Sequence, residues 1–196
     1  MPKQSYTAAE AARALGISLD TLRRWDTAGK IRVQRDASNR RVVPVSEVER
    51  LQSARELARV VRPDGLAFVA FIPRVSGVAG LIERAARRKG QVSAETLRVA
   101  ATSGVFRNDS DTGFQEGYYP RAGELEALLR AAGFEVLTTI SLRSVAHRLE
   151  HELTMLDPAV RTEAEAVLAV MSTWPEVVAS SGHALVIARV PRSDET

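Results

Sequence analysis

The chain has 196 residues, with 27 Lys or Arg against 24 Asp or Glu, a net charge of +3 and 45% hydrophobic residues; this is ordinary globular material for one or two domains. It contains no Cys, which excludes disulfides, thiol catalysis and every metal site that needs a thiolate. No apolar run approaches the roughly 20 residues of a membrane span, and the N-terminus MPKQSYT lacks the hydrophobic segment of a signal peptide, so a cytoplasmic protein without membrane contact is expected.

The stretch Tyr6 to Val43 reads as helix, tight turn, helix and short β-hairpin. Thr7 is suited to cap a first helix ending at Leu15, because its hydroxyl can accept an orphan N–H. Gly16 supplies the positive φ of the turn. Ser18 caps a second helix, Leu19 to Ala28, which Gly29 terminates. Ala11, Ala12, Leu15, Ile17, Leu22 and Trp25 are spaced to bring the helices together at a steep angle. Ser18, Asp20, Thr21, Arg23, Arg24 and Thr27 are left on or beside the outer face of the second helix, a shape suited to a DNA major groove. Ile31 to Arg35 and Arg40 to Val43 then form two strands around the turn Asp36-Ala37-Ser38-Asn39. Arg32, Arg35, Arg40 and Arg41 make this hairpin basic.

SLDTLRRWDTAGKI followed by R-x-x-x-NRR resembles the winged helix-turn-helix of the mercury-resistance-regulator (MerR) and phage-excisionase superfamily. The resemblance covers about residues 5 to 55 and rests on Thr21, Arg23, Trp25, Asp26 and Gly29. It implies a DNA-binding domain over 1–55 in which the second helix enters the major groove. Ser18, Thr21, Arg23 and Arg24 would touch bases or phosphates, and Lys30, Arg32, Arg40 and Arg41 would hold the flanking backbone from the wing. Charge agrees: residues 1–55 hold 11 Lys or Arg against 6 Asp or Glu, whereas the remainder holds 16 against 18.

Ser46 begins a third helix, SEVERLQSARELARVV, which runs through Arg62-Pro63-Asp64-Gly65 into an apolar strand, Leu66 to Ile72. Helices over Val78 to Lys89 and Ala94 to Ala101 follow, the second capped by Ser93. Residues 103–121 read as an irregular loop. Glu124 to Ala132 is a helix closed by Gly133, and Phe134 to Leu142 a second strand. Helices over Leu142 to Leu156 and Val160 to Ser172 lead to a third strand, His183 to Val190, and a disordered tail, 193–196.

Pro63-Asp64-Gly65 before an apolar strand, then GYYPR at 117–121, LEALLRAAGFEVL at 125–137 and a closing strand resemble the C-terminal half of a class I S-adenosylmethionine-dependent methyltransferase. The resemblance spans 56–192 and implies that the last strand inserts antiparallel between the other two. That family's cofactor loop, a Gly-rich turn after its first strand, has no counterpart, since the winged helix-turn-helix stands where those strands would be. Gly77-Val78-Ala79-Gly80 reads as a helix-entry turn instead. No methyltransferase activity, catalytic residue or cofactor is therefore expected.

Other constellations are weaker. His147 and His151, four apart on the helix expected there, form H-R-L-E-H rather than the H-E-x-x-H of a metalloprotease, and a solvated face outweighs a metal site. Ser181 with His183 lacks an acid and a nucleophile turn. Asp109, Asp111 and Glu116 lack the spacing of a calcium loop. A small pocket near Arg74, Phe114, Tyr118 and Tyr119 is conceivable. The strand LAFVAFI, apolar on both faces, would be left with an open edge; self-association, cover by the third helix or binding to another protein would close it, and self-association is favoured. The sequence thus predicts an α+β protein: a winged helix-turn-helix followed by a truncated, three-stranded methyltransferase-like domain. It is expected to bind double-stranded DNA as a transcriptional regulator, as a homodimer through its C-terminal part. An excisionase-like bending factor and an enzyme subunit completed by a partner are the alternatives.

Overall fold

The computed structural model describes residues 4–28, 30–87, 92–107, 116–142 and 144–192, and the chain divides into two compact units. The first gathers the described residues of 1–66, 126–135 and 189–196, the second those of 67–125 and 136–188.

In the first unit, β1 (Ser5–Thr7) passes directly into α1 (Ala8–Ala14). Thr7 and Glu10 form a capping box: the Thr7 hydroxyl accepts the Glu10 N–H at 3.3 Å and the Glu10 carboxylate accepts the Thr7 N–H at 2.8 Å. Thr7→Ala is expected to cost about 1 kcal/mol, read as a lower midpoint in denaturant unfolding. Gly16 takes φ 63° and turns the chain into α2 (Leu19–Thr27), where Ser18 Oγ accepts the Thr21 N–H at 3.1 Å. Gly29 lies outside the described residues. The hairpin strands are β2 (Gln34–Arg35) and β3 (Arg41–Pro44). β1 joins them in an antiparallel sheet of order β1-β3-β2, with Tyr6 opposite Val43 and Arg35 opposite Arg41.

α3 (Val45–Val60) begins one residue before the predicted start. It closes a core of Ala11, Ala12, Leu15, Leu22, Ile31, Val43, Val48 and Leu51, against which Trp25 packs. Polar side chains of α3 also reach back to the first helix. Gln52 Nε2 donates to the Ala14 carbonyl at 2.7 Å and the Arg55 guanidinium donates to the Leu15 carbonyl, satisfying acceptors that a helix end leaves without partners. Leu128 and Ala131, from α6 (Glu124–Ala131), pack on the same core.

The second unit is built on β4 (Leu66–Phe71), β7 (Glu135–Ser141) and β8 (Ala184–Arg189), in the order β4-β8-β7. The Asp64 N–H donates to the Val190 carbonyl at 2.9 Å and the Leu142 N–H to the His183 carbonyl at 2.9 Å. Both bonds join the end of one strand to the start of another, so β8 runs antiparallel to β4 and to β7. The last strand therefore lies where the resemblance put it. Between β4 and β7 come α4 (Arg74–Arg87), α5 (Ala94–Ser103) and a small hairpin, β5 (Val105–Arg107) with β6 (Glu116–Tyr118).

Several expectations change. Gly77 and Gly80 lie inside α4, not in an entry turn. Part of the loop expected over 103–121 is this hairpin, since Val105 and Phe106 pair with Tyr118 and Gly117; residues 108–115, with Asp109, Asp111 and Phe114, lie outside the described residues. The helix expected over Leu142 to Leu156 is broken. Ser144 takes φ 48°, a 3-10 turn covers Val145–Arg148, and α7 (Glu150–Thr154) follows. His147 and His151 therefore do not share one continuous helix. After α8 (Pro158–Met171), α9 (Pro175–Ser180) was not anticipated.

Candidate nucleic-acid interface

Three of the four expected α2 contacts are joined by hydrogen bonds. Ser18 Oγ lies 2.9 Å from Thr21 Oγ1, and Arg24 Nη2 donates to Thr21 Oγ1 at 3.1 Å. The spacing of three residues sets Ser18, Thr21 and Arg24 in a row along α2. Both hydroxyls are already committed, one to the cap and one to the guanidinium, so the row presents Arg24 as its charged end. Arg24 has no carboxylate partner among the described residues. Arg23 pairs with Asp20 at 3.2 Å, and both side chains are largely exposed. Such a surface pair is worth at most about 1 kcal/mol and yields easily to a phosphate.

The wing is held by its own turn. Asp36 Oδ1 accepts the Ser38 and Arg40 N–H groups at 2.9 Å each, and Asn39 takes φ 60°. The Arg40 N–H, opposed by partial burial and aided by the Arg40 guanidinium, holds the Asp36 carboxyl below its ordinary value. The turn's stabilisation is therefore present at neutral pH and is lost as the pH falls through that lowered value. Arg40 also pairs with Asp36 at 2.9 Å, and Arg41 with Asp26 at 3.3 Å. The second pair ties the wing to α2 and gives the acidic residue after Trp25 a structural role. Arg32 is half-buried, and its N–H donates to the buried Glu47 carboxylate at 3.2 Å, which also accepts from Arg50 at 2.8 Å. Lys30 is exposed, its N–H bonded to the Trp25 carbonyl at 2.8 Å.

The exposed cations Arg23, Arg24, Lys30, Arg40 and Arg41 thus sit on α2, on the turn after it and on the wing; Arg32 is the least accessible of the set. Arg35 belongs with them. It is exposed, and it donates to the Asn39 carbonyl at 2.8 Å. Its position in the first wing strand was visible in the sequence.

In the second unit the expected pocket residues are largely occupied by one another. The buried Arg74 guanidinium donates to the carbonyls of Tyr119 (3.0 Å), Thr102 (3.1 Å) and Ser103 (3.3 Å), to Tyr118 Oη (3.2 Å) and to Glu124 (3.3 Å). Tyr118 Oη in turn donates to Glu124 at 2.7 Å. Ser181 is fully buried and donates to the His183 carbonyl at 2.5 Å, a structural bond. No group of three or more His, Asp or Glu able to hold a metal occurs among the described residues. No helix among them is long and apolar enough to cross a membrane.

Residues 7–43 match the family model described as MerR family regulatory protein. The chain is also similar to the Type II methyltransferase M.Eco47II of Escherichia coli, at 40% identity over 65 residues, which is 33% of this chain and 16% of that protein. The match therefore spans about a sixth of the relative's length. Residues 7–43 thus carry a MerR-like helix-turn-helix, and the chain has partial similarity to a methyltransferase.

Proposed function

We propose, from the premise that residues 7–43 form a MerR-type helix-turn-helix, that this chain is a sequence-specific DNA-binding transcriptional regulator. α2 docks in the major groove, with Ser18, Thr21, Arg23 and Arg24 toward the bases and adjoining phosphates. Lys30, Arg32, Arg40 and Arg41 hold the flanking backbone. The observation that carries this reading is the row from the Ser18 cap through Thr21 to Arg24, because it presents an oriented guanidinium on an exposed helix face. An oriented Arg suits bidentate contact with guanine. Fluorescence anisotropy against DNA fragments selected by the protein tests it.

Reading two half-sites one helical turn apart calls for a two-fold dimer. The second unit offers a surface for it. β4 is an edge strand without a single charged residue, and Phe68, Val75 and Ile82 are more than half exposed, at 62%, 62% and 54%. Edge strands of monomers are normally blunted by charge or Pro. A second copy pairing along β4 removes both edges at once. Phe68→Asp is expected to turn a dimer into a monomer in light scattering, and to weaken binding to a two-half-site fragment much more than to a single half-site. A wild-type monomer at micromolar concentration would remove the dimer from the account.

The strand order β4-β8-β7 and the partial similarity to a methyltransferase support a second reading, an enzyme subunit whose S-adenosylmethionine site is completed by another chain. Cofactor retained through purification, or bound only after a partner is added, would favour it. A third reading, an excisionase-like factor, predicts strong DNA bending without an effect on transcription.

A further inference from the structure

α4 carries two glycines three residues apart, and only one of them is explained by packing. A Cβ on Gly77 would lie 2.5 Å from the Tyr119 ring, so the ring requires glycine there. A Cβ on Gly80 would meet nothing within 4 Å. Glycine inside a helix is destabilising relative to alanine, and no close contact among the described residues calls for it at position 80. Gly80 borders a cleft of about 530 Å³, within the size range of small-molecule sites. The cleft is also lined by Ser76, Leu81, Arg84, Arg87 and Tyr119.

The chemistry of this lining is selective. Arg84 stands with its guanidinium 5.9 Å from the Phe106 ring centre, and it has no carboxylate partner among the described residues. Among the described residues Arg87 pairs with Glu83 alone, at the surface and at 2.5 Å. Two guanidiniums therefore face one carboxylate. Ser76 is already committed, donating to the Ser180 carbonyl at 2.8 Å. The Tyr119 ring is fixed by stacking on Phe106, with centroids 5.7 Å apart, and burial pushes its phenol up, opposed by Arg84, so it stays a neutral donor.

We propose that this cleft binds a planar aromatic carboxylate, with the ring laid on the bare backbone at Gly80 beside Leu81 and Tyr119 and the carboxylate held by Arg84 and Arg87. The missing Cβ lets a flat group approach the helix closely. The guanidinium fork matches a carboxylate in two parallel hydrogen bonds. This inference goes beyond DNA binding and does not depend on it.

Calorimetric titration of the full chain with 2-naphthoate tests it, with 2-naphthamide and inorganic phosphate as comparison ligands. The naphthoate is expected to bind at least about tenfold more tightly than either, a factor that one good charged contact supplies. Arg87→Gln, which removes only a surface pair from the fold, is expected to weaken binding about tenfold. Gly80→Leu is expected to abolish binding while leaving the melting temperature unchanged or higher, because it fills the cleft and favours the helix. Gly80→Ala gives a partial loss with a raised melting temperature. Failure of the wild-type chain to bind naphthoate overturns the proposal. So does equal binding of the amide or of phosphate, or undiminished binding by Gly80→Leu.

Discussion

Arg24→Ala is expected to weaken binding to the protein's own DNA site by about 1–3 kcal/mol, with little change in unfolding midpoint. Arg24 is exposed, and its guanidinium bonds to the Thr21 hydroxyl at the helix surface, so its removal opens no cavity and leaves no buried charge. Arg23→Ala is expected to act in the same direction. Its pair with Asp20 lies in solvent, and breaking it costs the free protein little. The two variants differ in a second readout. A base contact narrows sequence preference, so its loss relaxes specificity at one position. A phosphate contact lowers affinity for all sequences alike and reduces the salt dependence by about one ion. Competition with random DNA at fixed salt separates them. Unchanged affinity in both variants would remove α2 as the recognition helix.

Arg74→Met is expected to destabilise the second unit by about 3–5 kcal/mol. The side chain is buried, and its guanidinium serves three carbonyls, a phenol and a carboxylate drawn from the end of α5, from β6 and the residue after it, and from the start of α6. Two of those carbonyls, on Thr102 and Ser103, close the α5 helix just before Gly104, which takes φ 82°. Methionine fills much of the volume but takes the donor from these carbonyls and the positive charge from beside the partly buried Glu124 carboxylate. Arg74→Lys restores the charge and not the fork, so it is expected to recover only part of the loss. Denaturant unfolding followed by circular dichroism measures both, and a midpoint unchanged in Arg74→Met would show that the network contributes nothing net.

The helix-turn-helix was legible because each of its joints is local chemistry: Thr7 and Ser18 as caps, Gly16 at positive φ, and apolar residues at helical spacing. The insertion of the last strand between the other two was legible only through resemblance, since strand order depends on contacts far apart in sequence. β1 escaped because Ser5, Tyr6 and Thr7 are too few to carry a strand pattern; pairing with β3 defines them. The β5–β6 hairpin escaped for the same reason. The break near Ser144 sits in a stretch with good helical spacing, where a left-handed backbone value overrides the pattern. Among the candidate site residues, the exposure of the cations was readable as a set. Their partners were not: Asp26 for Arg41, and Glu47 for the Arg32 N–H, are fixed by the fold's return to the same place. Arg74 read as a pocket residue, because nothing in a sequence tells a buried guanidinium serving carbonyls from one awaiting a ligand.

The most direct test of DNA-binding regulation is retention of random genomic fragments by the purified full chain across a salt series, followed by sequencing of what is held. Enrichment of a short palindromic motif is expected, with affinity falling steeply as salt rises. No retention even at low salt would contradict it.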